Sequence, residues 1–100
     1  TQTASVGWLV CAAGPMRRGT TIRLPDQANV IGAGTGQVRI DDSAVLPEHA
    51  RIERTGDKFA ITPGRGQVLV EDQPISEWRV LVDGESITLG RGHYIFKQAS

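Results

Sequence analysis

Three side chains near the middle of the chain could support hydrolytic chemistry. Ser43 could act as a nucleophile, with His49 as its base and Asp41 orienting the histidine. A nucleophilic serine normally sits on a strained turn within a recognisable motif, and the residues around Ser43 match no such motif. His49 and His93 are far apart in the sequence and lack the close spacing of metal ligands. We therefore expect neither an enzyme nor a metal site.

The glycine run Gly32–Gly36 could be taken for a nucleotide-binding loop. That chemistry needs a helix directly after the glycines, because the N–H groups at a helix N-terminus bind phosphate. Val38, Arg39 and Ile40 follow instead, and their alternation of apolar and charged side chains is typical of a strand. We expect a loop between strands and no cofactor.

Charge and cysteine content narrow the classes of partner. The chain has 11 Lys and Arg against 11 Asp and Glu, so its formal net charge is zero. With no net positive charge, the pair Arg17-Arg18 alone is a poor basis for binding nucleic acid. The one cysteine, Cys11, lies in an apolar run and is expected to be a small core residue. A domain without disulfides favours a reducing compartment, and we predict a cytoplasmic location.

Length and hydropathy predict one domain without its own membrane segment. One hundred residues fit a single domain with one core. No apolar run approaches the ~20 residues of a membrane span, and there is no signal peptide, so we expect no direct membrane contact. We predict a flexible tail at residues 1–5 and one domain at residues 6–98. Because the chain starts at Thr1 without a methionine, we expect it to be a fragment of a larger protein.

The candidate residues are carried by strands. Val38 and Ile40 share one face of an alternating segment, and a second such segment begins at His49, with Ala50 and Ile52 on one face. Period two is the pattern of a half-buried strand. The loop between the two segments is held at both ends, and on a rigid β scaffold such a loop is where a binding surface is usually placed.

The same alternation recurs along the chain, and no segment shows helical periodicity. About ten short strands with a turn every 8–12 residues predict an antiparallel sandwich or barrel. Thr55–Lys58 is predicted to be a hairpin turn, and Asp83-Gly84 is a strong signal for a two-residue hairpin. Trp78, Val80 and Val82 form one apolar stripe.

Five segments, in order along the chain, resemble motifs of the forkhead-associated (FHA) domain. They are Val30–Gly32 (the strand that ends in the family's Gly-Arg pair), Val45–Ala50 (Val-Ser-x-x-His-Ala), Val70–Ile75 (Val-Asn-Gly, a variable pair, Ile), Leu81–Gly90 (Leu-x-x-Gly-Asp-x-Ile-x-Leu-Gly) and Tyr94–Phe96 (the last strand). The His-Ala pair and the Leu81–Gly90 run are the specific parts. The resemblance implies a two-sheet antiparallel β-sandwich of FHA (SMAD/FHA-like) type, without substantial helix, that acts as a non-catalytic protein–protein interaction module.

The departures fall on the positions that hold phosphothreonine in the family. Ala33 stands at the arginine position, Leu46 at the serine position and Pro47 where a basic residue is common. Gly66 stands at the position of an asparagine that contacts the peptide backbone, and Glu71-Asp72 replace the later Asn-Gly pair.

The residues that match are the ones that support the loops. Gly32 and His49 are retained, and in the family this histidine braces the loops without touching phosphate. Each hydrogen bond to a charged group is worth roughly 1.5–3 kcal/mol, so loss of the arginine and the serine forfeits ~3–6 kcal/mol. That is ~100-fold to 10⁴-fold in affinity. The resemblance therefore predicts a degenerate phosphothreonine site.

Our prediction is phospho-independent binding of a protein or peptide, with self-association as a further possibility and nucleic acid excluded. One alternative is phosphothreonine-peptide binding with Arg65 replacing the lost arginine; Arg39 and Arg51, on strands beside the central loop, are the other arginines considered. A second alternative is subunit assembly in a bacterial secretion-system or envelope complex. We predict contact through the apical loop residues Ala33, Gly34, Thr35, Leu46, Pro47, Arg65 and Gln67.

Overall fold

Strands and turns account for the fold. The computed structural model of the chain describes residues 6–24, 29–32, 38–40 and 42–99, and within them it contains strands but no helix. The strands are β1 (Val6–Ala13), β2 (Thr21–Leu24), β3 (Asn29–Gly32), β4 (Val38–Arg39), β5 (Ala50–Thr55), β6 (Lys58–Pro63), β7 (Val68–Val70), β8 (Gln73–Pro74), β9 (Arg79–Leu81), β10 (Ser86–Leu89) and β11 (Gly92–Ala99).

The strands form two sheets. One has the order β2-β1-β11-β10-β7-β8 and the other the order β4-β3-β5-β6-β9. The described strand pairs are antiparallel, with one exception: β3 runs parallel to β4, with Ile31 opposite Val38. The predicted all-β sandwich is confirmed, but its second sheet is mixed.

Alternating side chains from both sheets fill the core. On β5 and β6 the buried positions are Ala50, Ile52, Phe59 and Ile61, and the residues between them are exposed or half-buried. Phe59 packs edge-on against Phe96 of the other sheet, with ring centroids 5.5 Å apart and planes at 61°. The period-two pattern therefore places the apolar side chains between the layers, where the hydrophobic effect stabilises the sandwich.

The predictions for Cys11 and for the β5–β6 turn are confirmed. β1 is a central strand between β2 and β11; Leu9 and Cys11 are buried on one face, and Trp8 and Val10 are half-buried on the other. Its Cys11 is a free, buried core residue with 1% exposure. Thr55 is opposite Lys58 at the tight turn between β5 and β6.

The predicted hairpin at Asp83-Gly84 is wrong. The strand before it, β9, pairs with β6 in one sheet, whereas the strand after it, β10, pairs with β7 and β11 in the other. Gly84 adopts a φ of +92° and its N–H donates to the carbonyl of Phe96. The turn therefore carries the chain from one layer to the other.

The alternation predicted around β9 is present, but its apolar stripe faces outward. Leu81 is the buried residue, whereas Trp78 and Val82 are large and exposed.

The described residues contain no helix long and apolar enough to cross a membrane.

The turn between β7 and β8 shows how this chain replaces an Asn-Gly pair. Glu71 and Asp72 both adopt positive φ, at 52° and 63°, which is the backbone geometry that Asn-Gly favours. The Glu71 carboxylate accepts hydrogen bonds from the N–H and the hydroxyl of Ser86, at 3.0 and 2.9 Å. These bonds lower the pKa of Glu71 and hold the turn in place.

Candidate functional site

His49 connects two loops at one end of the sandwich. It immediately precedes β5, and it is 3% exposed. Its Nδ1 accepts a hydrogen bond from the N–H of Leu46 at 3.2 Å, and its Nε2 lies 2.8 Å from the carbonyl of Gln67. Because Nδ1 accepts a hydrogen bond, it carries no hydrogen. The ring hydrogen is therefore on Nε2, which donates a hydrogen bond to the Gln67 carbonyl. The neutral ring thereby ties the β4–β5 loop to the β6–β7 loop.

Glycines allow the loops to approach each other closely. A Cβ on Gly32 would lie 2.8 Å from the backbone N of Glu48, and a Cβ on Gly64 would collide with the carbonyl oxygen of Glu48. A Cβ on Gly66 would overlap the imidazole of His49. In this structure the His49 ring therefore occupies the space that a side chain at position 66 would need.

Asp42 fixes the start of the β4–β5 loop, and this role was not predicted. Its buried carboxylate accepts hydrogen bonds from the N–H of Ala44 at 2.8 Å and from the N–H of Arg91 at 2.9 Å. The Arg91 guanidinium lies 3.5 Å from the same carboxylate. The adjoining Gly90 has a φ of +59°, and a Cβ there would lie 2.9 Å from the Asp42 carboxylate. Asp42 thus joins this loop to the β10–β11 turn.

The environment of Asp42 stabilises its ionised form. Burial by itself raises the pKa of this carboxyl, but the hydrogen bonds from Ala44 and Arg91 and the Arg91 charge lower it by more. The net result is a pKa below the ordinary value. The only sequence signal for this anchor is the pattern of an Asx turn, in which an Asp oxygen accepts the N–H two residues later.

A groove of about 370 Å³ lies beside the braced loops. Leu46 and Arg65 stand at its rim, and Leu69 and Thr88 extend it over the outer face of the neighbouring sheet. Leu46 is 43% exposed, which is high for a large apolar side chain. The described lining residues are Ala44, Leu46, His49, Arg65, Gly66, Gln67, Leu69, Thr88 and Gly90.

Arg65 is the only Lys or Arg among the described lining residues, and it has an acidic neighbour. Its Nε is 4.0 Å from the carboxylate of Glu48, and its backbone N–H donates to the Glu48 carbonyl at 3.0 Å. Glu48 itself adopts a φ of +54°, in the left-handed region. Arg39 and Arg51, the other arginines considered, are exposed on β4 and β5 and do not line the groove. Arg65 is therefore the described cation of the groove lining, and Glu48, which does not line the groove, is its exposed acidic neighbour.

The family profile of the FHA domain matches residues 29–90, which include both braced loops. The chain belongs to the FHA domain family. FHA domains are phosphopeptide-binding protein interaction modules, and the family is not enzymatic. A search of curated proteins found no match.

Solved structures of other FHA domains share this fold. The FHA domain of FhaA, solved with the intracellular domain of Rv3910, is 26% identical, with a TM-score of 0.78 over 91% of this chain and 99% of that one. The Rv0020c FHA domain is 25% identical, with a TM-score of 0.81 over 98% and 97%. Mycobacterium tuberculosis EmbR, solved with a low affinity phosphopeptide, is 27% identical, with a TM-score of 0.81 over 96% of this chain and 25% of EmbR.

The hydrolytic arrangement considered for this FHA domain has no geometric support. Both ring nitrogens of His49 are engaged by backbone groups, and Ser43 is exposed with its hydroxyl 3.4 Å from Arg91. Asp41 lies outside the described residues. His93 is on the exposed face of β11, where its Nδ1 is 3.1 Å from the Thr88 hydroxyl. Within the described part of the chain, no group of three or more potential metal ligands is present.

The structure brings together three of the residues predicted to contact a partner. Leu46, Arg65 and Gln67 line the same groove. Pro47 is exposed and does not line it, although the neighbouring Gly32 packs under this segment. The predicted contact residues at positions 33–35 lie outside the described residues. Whether any of these side chains contacts a partner remains a prediction, whereas the supporting positions of Gly32 and His49 are visible in the loop packing.

Proposed function

We propose that this FHA domain binds a protein or peptide partner at the apical groove without requiring phosphate. The observation that carries the proposal is the chemistry of the rim, where Leu46 occupies the serine position and Arg65 is paired with Glu48. The braced loops support the proposal because a preorganised surface costs less entropy to bind.

Electrostatics argue against a phosphate at this rim. Phosphothreonine carries about −1.5 to −2 charges at neutral pH and is best held by several charge-assisted donors. Here the described groove lining offers one cation, Arg65, and the exposed carboxylate of Glu48 lies 4.0 Å from its Nε. Glu48 would also repel the incoming dianion directly. An uncompensated anion against Leu46 would lose hydration without gaining donors, which is unfavourable.

The groove is better suited to a side chain with an apolar body. Leu46, Leu69 and Ala44 supply apolar surface on its lining. Gln67 and Thr88 supply polar groups that can fix orientation, in the pattern usual for small recognition pockets. We therefore propose an extended peptide that inserts an aliphatic or aromatic side chain beside Leu46.

The second candidate is phosphothreonine recognition through Arg65. Two observations favour it: Arg65 lines the groove, and the structurally similar EmbR was solved with a low affinity phosphopeptide. For this candidate, Arg65 would have to break its ion pair with Glu48 and bind the phosphate instead.

A paired library titration separates the two candidates. A pooled phosphothreonine peptide library and the same library synthesised with unmodified threonine are titrated into the ¹⁵N-labelled domain, and amide shifts are followed by NMR. We expect both libraries to perturb Leu46, Gly66 and Gln67 with equal midpoints. Leu46→Asp should abolish the perturbation, because it puts a charge where an apolar contact is made.

The matched control is Ser43→Asp, which adds the same charge to the same loop outside the groove lining. It should leave the midpoints unchanged. Saturable binding that occurs only with the phosphorylated library, and that disappears in Arg65→Ala, would overturn the proposal in favour of the second candidate. An absence of any shift with both libraries would overturn both.

A further inference from the structure

The β1–β2 loop carries a local positive charge that the net charge of zero conceals. Residues 1–25 contain three arginines, Arg17, Arg18 and Arg23, and no Asp or Glu. Arg17 and Arg18 are adjacent in the β1–β2 loop, and both are exposed. The ion pairs of the described residues leave both of them without an acidic partner in that part of the chain. Their charges are therefore available to a partner.

Hydrogen bonds fix the backbone of this loop. The Gly19 N–H donates to the Cys11 carbonyl at 2.7 Å, and the Cys11 N–H donates to the Thr20 carbonyl at 2.8 Å. The N–H and the hydroxyl of Thr20 both donate to the Arg17 carbonyl, at 3.0 and 2.6 Å. Because the backbone is already ordered, a partner that contacts the two arginines loses little loop entropy on binding.

The same loop packs against the β10–β11 turn, at which the apical groove ends. A Cβ on Gly14 would lie 2.6 Å from the Cα of Gly92 and 3.1 Å from the carbonyl oxygen of Arg91, so the two segments are in close contact. Gly90 lines the apical groove. The next residue, Arg91, lines a smaller depression of about 310 Å³ together with Gly14 and Pro15. The groove and this depression therefore adjoin at the β10–β11 turn.

The strand register gives the distance between the groove and the loop. Thr88, which lines the groove, is opposite His93, and His93 is opposite Ala13 at the end of β1. Two strand spacings of ~4.8 Å, or ~10 Å in all, therefore separate Thr88 from Ala13. An extended peptide advances ~3.3 Å per residue, so a peptide that crosses the strands covers this distance in about three residues.

We propose that the partner peptide carries Asp or Glu three to five residues from its apolar anchor, and that these carboxylates contact Arg17 and Arg18. This inference rests on the proposed function, because it extends the peptide that is bound in the apical groove. Charge complementarity decides the chemistry of the contact: guanidinium groups bind carboxylates with paired N–H···O bonds, and no acid of residues 1–25 competes for them.

The range of the attraction decides where the acidic residues must be. With a net charge of zero there is no long-range field, and exposed charges act over about one Debye length, ~8 Å at physiological salt. An acid elsewhere in the peptide would therefore gain little. A nucleic acid fits this loop less well, because two arginines supply few phosphate contacts and residues 14–20 contain no aromatic side chain for base stacking.

Two peptide libraries without phosphate test the contact. Both have a central leucine; one has Asp or Glu at the positions three to five residues away on both sides, and the other has Asn or Gln there. Each is titrated into the ¹⁵N-labelled domain. We expect the acidic library to bind about 4- to 25-fold more tightly, since two exposed ion pairs each contribute up to about 5-fold. The gain should vanish at 1 M salt, where the Debye length is ~3 Å.

Charge reversal locates the contact. Arg17→Glu and Arg18→Glu should each remove most of the gain of the acidic library and leave the midpoint of the neutral library unchanged. Arg23→Glu is the matched control, because it makes the same change of charge within the same acid-free segment. Arg23 is opposite Trp8, which is ~16 Å along β1 from Ala13, or about two Debye lengths. It should leave the gain intact.

The outcomes separate this inference from the proposed function. Equal midpoints for the two libraries with shifts at Leu46, or a gain that survives in Arg17→Glu and Arg18→Glu, would overturn the inference and leave the proposed function standing. Binding of neither library would overturn both. A single-stranded oligonucleotide that binds more tightly than the acidic library, and loses binding in the same two variants, would replace the acidic peptide with a nucleic acid.

Discussion

The apical end of this FHA domain contains two layers that differ in how they are held. The inner layer comprises Asp42, His49, Gly64 and Gly66, and the outer rim comprises Leu46, Glu48 and Arg65. In the inner layer the buried polar side chains have hydrogen-bond partners and the glycines are in close contact. The rim side chains are exposed, and their one ion pair is 4.0 Å long. Under the proposed function, loop architecture and anion chemistry are separable: the loops keep their support while the rim binds without phosphate.

The largest expected effect comes from restoring the family's chemistry on the intact inner layer. Ala33→Arg with Leu46→Ser returns the two donors, and we expect phosphothreonine-peptide affinity to rise ~100-fold to 10⁴-fold above wild type. Isothermal titration with a phosphothreonine peptide selected against the double variant, measured on both proteins, checks this. Leu46→Ser alone should gain little, since the arginine is the stronger donor. A double variant that folds but does not bind would show that the inner layer has lost the family's geometry as well.

A substitution in the inner layer should reduce stability rather than specificity. Gly66→Ala puts a methyl group into the His49 ring, so we expect a loss of about 3 kcal/mol in the free energy of unfolding, at the upper end of overpacking effects. Urea denaturation measures it. Gly56→Ala is the control, because a Cβ there meets no atom within 4 Å and only the positive φ of 64° is strained.

A double-mutant cycle identifies the cause of that loss. If the clash with His49 is responsible, the cost of Gly66→Ala should shrink by at least about 1 kcal/mol when His49 is already alanine. Additive costs would mean that Gly66 matters for another reason, such as its backbone conformation, and the account of the inner layer would need revision.

Strand faces were predictable, whereas connections between distant residues were not. Period-two alternation identified Ile52, Phe59 and Ile61 as core residues because it depends only on neighbouring positions. The Asp83-Gly84 signal failed because local turn chemistry does not say which sheet the next strand joins. Asp42 was missed for the same reason, since its partner Arg91 is 49 residues away. The resemblance identified His49 as a brace, but the need for glycine at position 66 follows only from the ring lying beside it.

Asp42 offers a pH-dependent test of the inner layer. Folding lowers its pKa, so the group contributes stability above the unfolded carboxyl pKa of ~3.9, and this contribution is lost as the pH falls through the lower folded value. Asp42→Asn replaces one acceptor oxygen with a donor opposite an N–H group, and we expect a loss of about 2 kcal/mol at pH 7. Thermal or urea unfolding between pH 2 and 7 measures both effects.

The difference between wild type and Asp42→Asn should narrow in the acid range, because protonation removes the advantage of the carboxylate. Arg91→Ala separates the ion pair from the backbone hydrogen bond. It deletes the guanidinium but keeps the backbone N–H that donates to Asp42 at 2.9 Å. It should therefore cost less than Asp42→Asn. A larger cost for Arg91→Ala would place the anchor in the ion pair and not in the backbone bonds.

The smallest expected effect is that of removing the charge of Glu48 at the rim. It tests whether Arg65 can bind phosphate once its acidic neighbour is neutral. Glu48→Gln removes the negative charge beside Arg65 and keeps the shape of the side chain. Because Arg65 and Glu48 are 74% and 66% exposed at the side chain, their interaction is worth at most about 1 kcal/mol, and unfolding stability should be unchanged within about 0.5 kcal/mol. For the same reason, any phosphothreonine-peptide affinity should rise by less than about 5-fold. A larger rise, reversed by Arg65→Ala in the Glu48→Gln background, would mean that Glu48 masks a working phosphate ligand. The rim would then be the family's phosphate site blocked by Glu48, and loop architecture and anion chemistry would not be separable in this chain.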